Sequence, residues 1–325
     1  MRLVLAPMEG VVDFKMRQLL TDLGGFDLCV TEFVRVVEDT LPERVFHRYC
    51  PELKTGGYTR AGTPVRIQLL GQVADALAAN AVKAIRLGSH GIDLNFGCPA
   101  KTVNKSKGGA VLLKDPDHMY EIIKAVRDAV DPCHEVSAKI RLGFDDDSNS
   151  QEIVDAVVSA GASSLAIHAR TKRDGYNPPA YWEKIPPLIK DKNISVVANG
   201  EIWHVEDAML CQKRSHCQDL MLGRGALAMP DLAKQIKSHA ENEHYTPMLW
   251  EHVIYHIIHS SMHQDESKCE KYFASRTKQW LGYLKRQYPQ ANALFDEIRR
   301  LKAKDEVADV LRKYAKAPSI DTNHN

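Results

Sequence analysis

What this 325-residue chain lacks narrows it first. It contains no apolar run that approaches the length of a membrane span. Its first residues, Met1-Arg-Leu-Val-Leu-Ala-Pro7, reach a proline after a very short apolar stretch, which argues against a signal peptide. The seven cysteines, Cys29, Cys50, Cys98, Cys133, Cys211, Cys217 and Cys269, are odd in number and contain no C-x-x-C. Reduced thiols in a cytoplasmic protein are the expectation. No metal site is expected: His47, Cys50 and His90 match no ligand spacing, and Cys211-x5-Cys217 has no second pair. There is no P-loop and no Ser-His-Asp elbow. A net charge of +1 excludes indiscriminate polyanion binding but leaves room for a local basic face.

What is present reads as an ordinary globular composition, 44% apolar and 26% charged. The length allows one large domain and a small one. Short apolar runs recur along the first three quarters of the chain: Arg2–Pro7, Asp27–Phe33, Pro64–Gly71, Gly91–Asn95, Val136–Leu142, Ser164–Ala169, Ile194–Asn199 and Asp219–Gly223. Helical spacing separates several of them, at Asp13–Leu23, Ala74–Leu87, Asp117–Val130 and Gln151–Ala160. Eight strands alternating with helices over roughly 240 residues predict an α/β fold, a (β/α)8 TIM barrel. A doubly wound open sheet is the alternative, but G-x-G-x-x-G is missing after the first strand.

The pattern changes after about Glu243. Met248–Met262, Tyr272–Tyr288, Ala291–Leu301 and Glu306–Tyr314 have helical spacing and no strand-like run remains. The expected organisation is a barrel over 1–243, a small all-α helical domain over 244–316 and a frayed polar tail over 317–325. From Lys271 to Lys313 there are 11 Lys and Arg against 5 Asp and Glu, so the helical part is basic.

In such a barrel the chemistry sits where the strands end. Glu9 follows the first strand and Arg35 the second. Gln68 lies in the third, and Asn95 and Cys98 end the fourth. Lys139 and Arg141 share one face of the fifth, and His168 and Arg170 repeat that spacing on the sixth. Asn199-Gly-Glu201 and Gly223-Arg-Gly225 follow the last two, where backbone N–H groups often hold phosphate. Taken singly, each has a plain structural role available, such as a core histidine or a rim salt bridge. Together they suit a large polar cofactor. Cys98 sits on a turn set by Gly97 and Pro99, as a proton donor or nucleophile.

These segments resemble the tRNA-dihydrouridine synthases, flavin enzymes that reduce uridines in tRNA. The matches are Ala6-Pro-Met-Glu9, Gln68-Leu-Leu-Gly71, Asp93-Leu-Asn-Phe-Gly-Cys-Pro99, Gly108-Gly-Ala110, Leu112-Leu-Lys114, Lys139-Ile-Arg-Leu-Gly143, His168-Ala-Arg-Thr171, Asn199-Gly-Glu-Ile202 and Gly223-Arg-Gly-Ala226. Thr31-Glu-Phe-Val-Arg35 and Arg276-Thr-Lys-Gln-Trp280 resemble the bacterial subgroup acting at position 16 of the D-loop. Phe96 and Ala169 depart from what is often found at those positions.

The resemblance implies FMN at the barrel mouth, contacting Pro7, Met8, Glu9, Gln68, Lys139, His168, Asn199, Gly200, Glu201, Gly223 and Arg224. It implies NADPH as reductant and Cys98 as proton donor, a neutral thiol without a strongly lowered pKa. Asn95 would bond the flipped uracil and Tyr176 would line its pocket. Arg35, Arg276, Lys278 and Arg299 would contact the tRNA, and Tyr283, on the face of Arg276, a base or the domain core. The implied partners are tRNA through its D-loop and NADPH, without a membrane, for a cytoplasmic monomer. Three rivals stand beside this reading. They are a flavin barrel acting on a small molecule, a catalytically silent tRNA-binding module, and a lyase using Lys139 as a Schiff base.

Overall fold

In the computed structural model, residues 1–259 and 271–315 are described. The end of the predicted helix Met248–Met262, Cys269 and the tail over 317–325 lie outside the described residues.

Eight parallel strands form a closed barrel: β1 Leu3–Leu5, β2 Leu28–Arg35, β3 Val65–Leu70, β4 Ile92–Asn95, β5 Val136–Gly143, β6 Ser164–Thr171, β7 Ser195–Asn199 and β8 Asp219–Leu222. Closure comes from β8 against β1, with Val4 beside Met221 and Leu5 beside Leu222. That excludes the open sheet.

Period-two alternation sorts the side chains. Leu3, Leu5, Ile67, Leu69, Leu94 and Ile140 face outward and join the main core beneath the helices. Val4, Leu28, Val30, Ala166, Val197 and Met221 form a second, separate cluster. The helices follow the same logic. Ala76, Leu77, Asn80, Ala81 and Ala84 are the buried positions of Ala74–Arg86, one stripe at three- and four-residue spacing.

Some boundaries differ from the sequence reading. The helix expected from Asp13 begins at Phe14, because the Asp13 carboxylate accepts from Met16 N at 3.1 Å and serves as its cap. Strand β2 runs on to Arg35, since Phe33, Val34 and Arg35 pair with Gln68, Leu69 and Leu70 beyond a register shift. The helices Glu43–Tyr49, Lys101–Lys105, Ile185–Ile189 and Arg224–Ala228 were not foreseen; five to seven residues are too few to display a period. Val205–Ser215 and Leu232–Ala240 were also missed.

Beyond the barrel lie helices Trp250–His259, Lys271–Leu284, Gln290–Ile298 and Lys304–Arg312, where helical spacing placed them. The boundary expected at 243 falls between Leu232–Ala240 and Trp250–His259. Trp280 is buried against the barrel and its Nε1 donates to Leu227 O at 2.8 Å.

Candidate active site

The C-terminal ends of the strands open into a cavity of about 490 Å³, within the range of small-molecule sites. Loops from both ends of the chain reach it: Pro7, Met8 and Glu9 after β1, and Tyr283 from helix Lys271–Leu284. Between them lie Gln68, Asn95, Cys98, Lys139, Arg141, His168, Tyr176, Asn199, Gly200, Glu201, Gly223 and Arg224. Every residue expected to touch cofactor or uracil is therefore in one cavity.

The turn carrying Cys98 is fixed from several sides. Asn95 Oδ1 accepts from the backbone N–H groups of Gly97 and Cys98, both at 2.9 Å. Cys98 O accepts from Ala110 N at 3.0 Å, and Arg141 Nε donates to Gly97 O at 2.9 Å. Gly109 passes so close, at φ +67°, that an added Cβ would lie 3.0 Å from Cys98 O. Burial pushes the Cys98 thiol above its usual value, and Glu9 adds to this against the pull of Arg141 and Lys139. The sulfur is thus a neutral thiol at neutral pH, with cations near enough to ease a transient thiolate.

Lys139 Nζ donates to Asn199 Oδ1 at 3.2 Å, and Asn199 Nδ2 donates to Met221 O at 2.8 Å. Desolvation, then the like charge of Arg141, lowers the ammonium to about 8. His168 is buried, and burial with four surrounding cations holds it well below 6.5, so it is neutral. Arg170 Nη1 lies 3.3 Å from His168 Nε2. A guanidinium can only donate, so Nε2 accepts and the ring proton sits on Nδ1. Arg170 is fully buried, ion-pairs with Glu201 and donates to Asn177 O at 2.7 Å. The Glu201 carboxylate also accepts from Trp203 Nε1 at 2.8 Å. Hence the side chains of Glu201 and Asn199 are bound to protein, and what their turn offers a ligand is backbone and Gly200. At Gly200, with φ +117°, a Cβ would sit 2.8 Å from His168 Cδ2.

The lining suits an anionic, polar-edged planar group. The two turns at Gly200–Glu201 and Gly223–Arg224 lie side by side, with the Arg224 guanidinium at the rim. Lys139 and the Gln68 amide lie deeper. Among the described residues, no group of three or more His, Cys, Asp and Glu could hold a metal ion.

The residues expected to meet tRNA are more scattered. Asn95, Tyr176 and Tyr283 are in the cavity. Arg35 is exposed and donates to Ser106 Oγ. Arg299 is exposed, 3.8 Å from Asp296. Lys278 Nζ donates to Leu301 O at 2.7 Å. Arg276 is engaged with the barrel: it pairs with Asp13 at 2.7 Å and donates to the carbonyls of Gly10 and Val11. Burial opposes charge on Asp13, but Arg276 and the Tyr272 hydroxyl hold its carboxyl below the usual range.

Three features escaped the sequence reading. Arg141, expected on the inner face of β5 beside Lys139 but with no contact of its own assigned, lines the cavity and bridges the Cys98 turn to the carbonyls of Thr171 and Gly175 at 3.0 and 2.9 Å. Its signal was the face it shares with Lys139. Trp203 had no sequence signal; its ring lies beneath Arg286 at 3.6 Å and Arg224 at 5.1 Å. Arg224 and Arg141 in turn flank Tyr176 at 4.8 and 5.3 Å. Asp93 carries no signal of its own within Asp93-Leu-Asn95.

A sequence profile described as dihydrouridine synthase (Dus) matches residues 4–319. The chain is 51% identical over 313 residues to the tRNA-dihydrouridine(16) synthase of Shewanella oneidensis, covering 96% of this chain and 98% of that protein. It is 49% identical over 308 residues to the protein of that name from Haemophilus influenzae, covering 94% and 98%. Its counterpart in Escherichia coli O157:H7 is 47% identical over 314 residues, covering 96% and 98%. Among solved structures, histamine dehydrogenase from Rhizobium sp. 4-9 superposes with a TM-score of 0.55 at 13% identity, over 73% of this chain and 46% of that one. The old yellow enzyme homologue from Zymomonas mobilis gives 0.51 at 12%, over 77% and 91%. These two share the barrel fold.

Proposed function

This chain belongs to the dihydrouridine synthase family, and on that footing we propose that it reduces the C5–C6 double bond of a tRNA D-loop uridine, U16. FMN is the cofactor, NADPH the reductant, and Cys98 the proton donor. The observation that carries the reading is the neutral Cys98 thiol, held on a rigid turn and opening onto the cavity that Lys139, His168 and Arg224 line.

When bound and reduced by NADPH, FMN would supply the hydride for uracil C6. The protein's part is to place the ring and complete the addition. Cys98 holds its proton at Sγ and delivers it to C5, a general-acid step. The thiolate left behind lies within the field of Arg141 and Lys139 and regains a proton from solvent. Lys139 and the Nδ1–H of His168 would donate to a bound cofactor's oxygens, and the Gly200 and Gly223 turns with Arg224 would hold its phosphate. Reduction inside the cavity requires the base to leave its stack. Tyr176 lines the entrance for the flipped base, a role supported by its 52% exposure at the mouth and the two guanidiniums that flank it.

The region over 244–316 serves as the tRNA-binding domain, with Arg299 exposed there for phosphate contact and Arg35 exposed at the end of β2 on the barrel. The enzyme works as a cytoplasmic monomer, where tRNA and NADPH are both available. Among the described residues, no helix is long and apolar enough to cross a membrane.

The test is Cys98→Ala. The variant should retain FMN and its reduction by NADPH while dihydrouridine formation falls by about 10²–10⁴-fold, the usual contribution of a positioned acid. Normal turnover of tRNA would remove the thiol from the mechanism.

A further inference from the structure

Beneath the cavity floor, three neighbouring strands carry a polar relay that the mechanism above does not use. Register places Gln68 beside Asp93 and Asp93 beside Ser137. Gln68 Nε2 donates to Asp93 Oδ2 at 2.7 Å, and Ser137 Oγ donates to Asp93 Oδ1 at 2.6 Å. Asn95 Nδ2 donates to Gln68 Oε1 at 2.7 Å. Asn95 Oδ1 then accepts the two backbone N–H groups of the Cys98 turn. Asp93 is 2% exposed and Gln68 fully buried.

From the Cys98 turn to Asp93 the direction of each bond is forced. A backbone N–H can only donate, so Asn95 must turn its oxygen to the Cys98 turn and its nitrogen to Gln68. Gln68 must then accept through Oε1 and turn its nitrogen to Asp93. The carboxylate is the acceptor that ends the series. Were that acceptor lost, the buried Gln68 nitrogen would have no partner, and reversing the amide would not supply one. Reversal would set Gln68 Nε2 against Asn95 Nδ2, two donors face to face. Asn95 could relieve that only by presenting its own nitrogen to the Cys98 turn.

We infer that Asp93 is a positioning residue: through Gln68 and Asn95 it sets the polarity of the cavity floor and holds the Cys98 turn in register. This rests on the reading that the cavity takes FMN and a uracil. Asn95 Oδ1 is filled by two N–H groups and Gln68 Oε1 already takes one, so what the two side chains chiefly offer a ligand is N–H. A floor of donors suits a base edge bearing carbonyls and disfavours one bearing an amino group. Asp93 thereby contributes to the choice of uracil over cytosine, although nothing in its position touches the base.

The experiment compares Asp93→Leu with Asp93→Asn in the full-length FMN-loaded protein. Dihydrouridine formed in tRNA is measured in a single turnover, beside flavin reduction by NADPH and the visible flavin spectrum. Asparagine retains an oxygen that can accept from Gln68, so Asp93→Asn should stay within about 3-fold of wild type. Asp93→Leu should slow uridine reduction by roughly 30-fold, in keeping with a lost bond to a charged group, and should shift the flavin spectrum. Wild-type rates in Asp93→Leu, or equal loss in both variants, would overturn the assignment. Should Asp93→Leu fail to fold, side-chain amide exchange in the 15N-labelled wild-type protein decides. One N–H each of Gln68 and Asn95 must exchange far more slowly than surface amides, and fast exchange would refute the relay. A wild type that makes no dihydrouridine would instead sink the proposed function, and the same amide exchange would then decide the relay.

Discussion

The two halves of the barrel lumen are built from different materials. Around β8, β1 and β2 the interior is Met221, Val4, Leu28 and Val30, joined by Ala166 and Val197. Around β3, β4 and β5 it is Arg66, Gln68, Asp93, Asn95, Ser137, Lys139 and Arg141, linked by hydrogen bonds from strand to strand. The apolar half closes the barrel at little cost, because packing satisfies it completely. The polar half requires a partner for each desolvated group, and removing one leaves the other stranded. Apolar side chains would close that half with less risk. The polar half thus brings the Cys98 turn, Lys139 and Arg141 to one side of the cavity, while the strands of the apolar half reach it through the residues that follow them, Met8 and Glu9 after β1 and Gly223–Arg224 after β8.

The comparison can be broken by exchanging the two effects. Leu28→Ala, on the apolar side, should cost about 2–5 kcal/mol of stability, read as a lower denaturation midpoint, while uridine reduction per bound flavin stays unchanged. A lost activity without lost stability would show that the apolar half also serves the chemistry.

On the polar side, Lys139→Met should weaken FMN binding by roughly 10- to 100-fold, the loss of one charge-assisted contact, without destabilising the empty protein. The pH dependence has a definite sign. Below about 8 the lysine is charged in both the folded and the unfolded chain, and the empty fold bears the cost of desolvating it. Between about 8 and its ordinary 10.5 the folded chain releases the proton before the unfolded one does. Stability from this group therefore rises with pH across that window. FMN affinity falls over the same range, as the ammonium that meets the cofactor is lost, and Lys139→Met should flatten both trends.

The smallest effects separate two arginines first expected to play one part. Arg276, with its side chain only 14% exposed and paired to Asp13, joins the helical region to the loop after β1. Arg276→Ala should cost about 1.5–3 kcal/mol of stability. Arg299, 55% exposed, should cost under about 0.5 kcal/mol on truncation. Its loss should instead lower the salt dependence of tRNA binding by up to about 0.7–0.9 in slope. Salt titrations of both variants show whether this division holds.

Much of the barrel was legible because each strand is a short run of mostly apolar residues and, in β3 to β6, the alternation of polar residues marks the inner face. Lys139 with Arg141, and His168 with Arg170, announced that face directly. Tertiary bonding was not legible. Nothing in Asp93-Leu-Asn95 tells that Asp93 and Asn95 will meet the same glutamine from β3. Nothing in Arg276-Thr-Lys-Gln-Trp280 distinguishes an arginine bound to Asp13, more than 260 positions away, from one free to meet RNA. Trp203 and Arg286 come together only because a loop after β7 and the end of a distant helix converge on the mouth.

Mapping dihydrouridine by mass spectrometry in unmodified tRNA, after incubation with the FMN-loaded protein and NADPH, tests the central claim most directly. Dihydrouridine should accumulate at position 16 of the D-loop, and Cys98→Ala should leave that position as uridine. A flavin-loaded protein that oxidises NADPH yet leaves every uridine of the D-loop unreduced would contradict it.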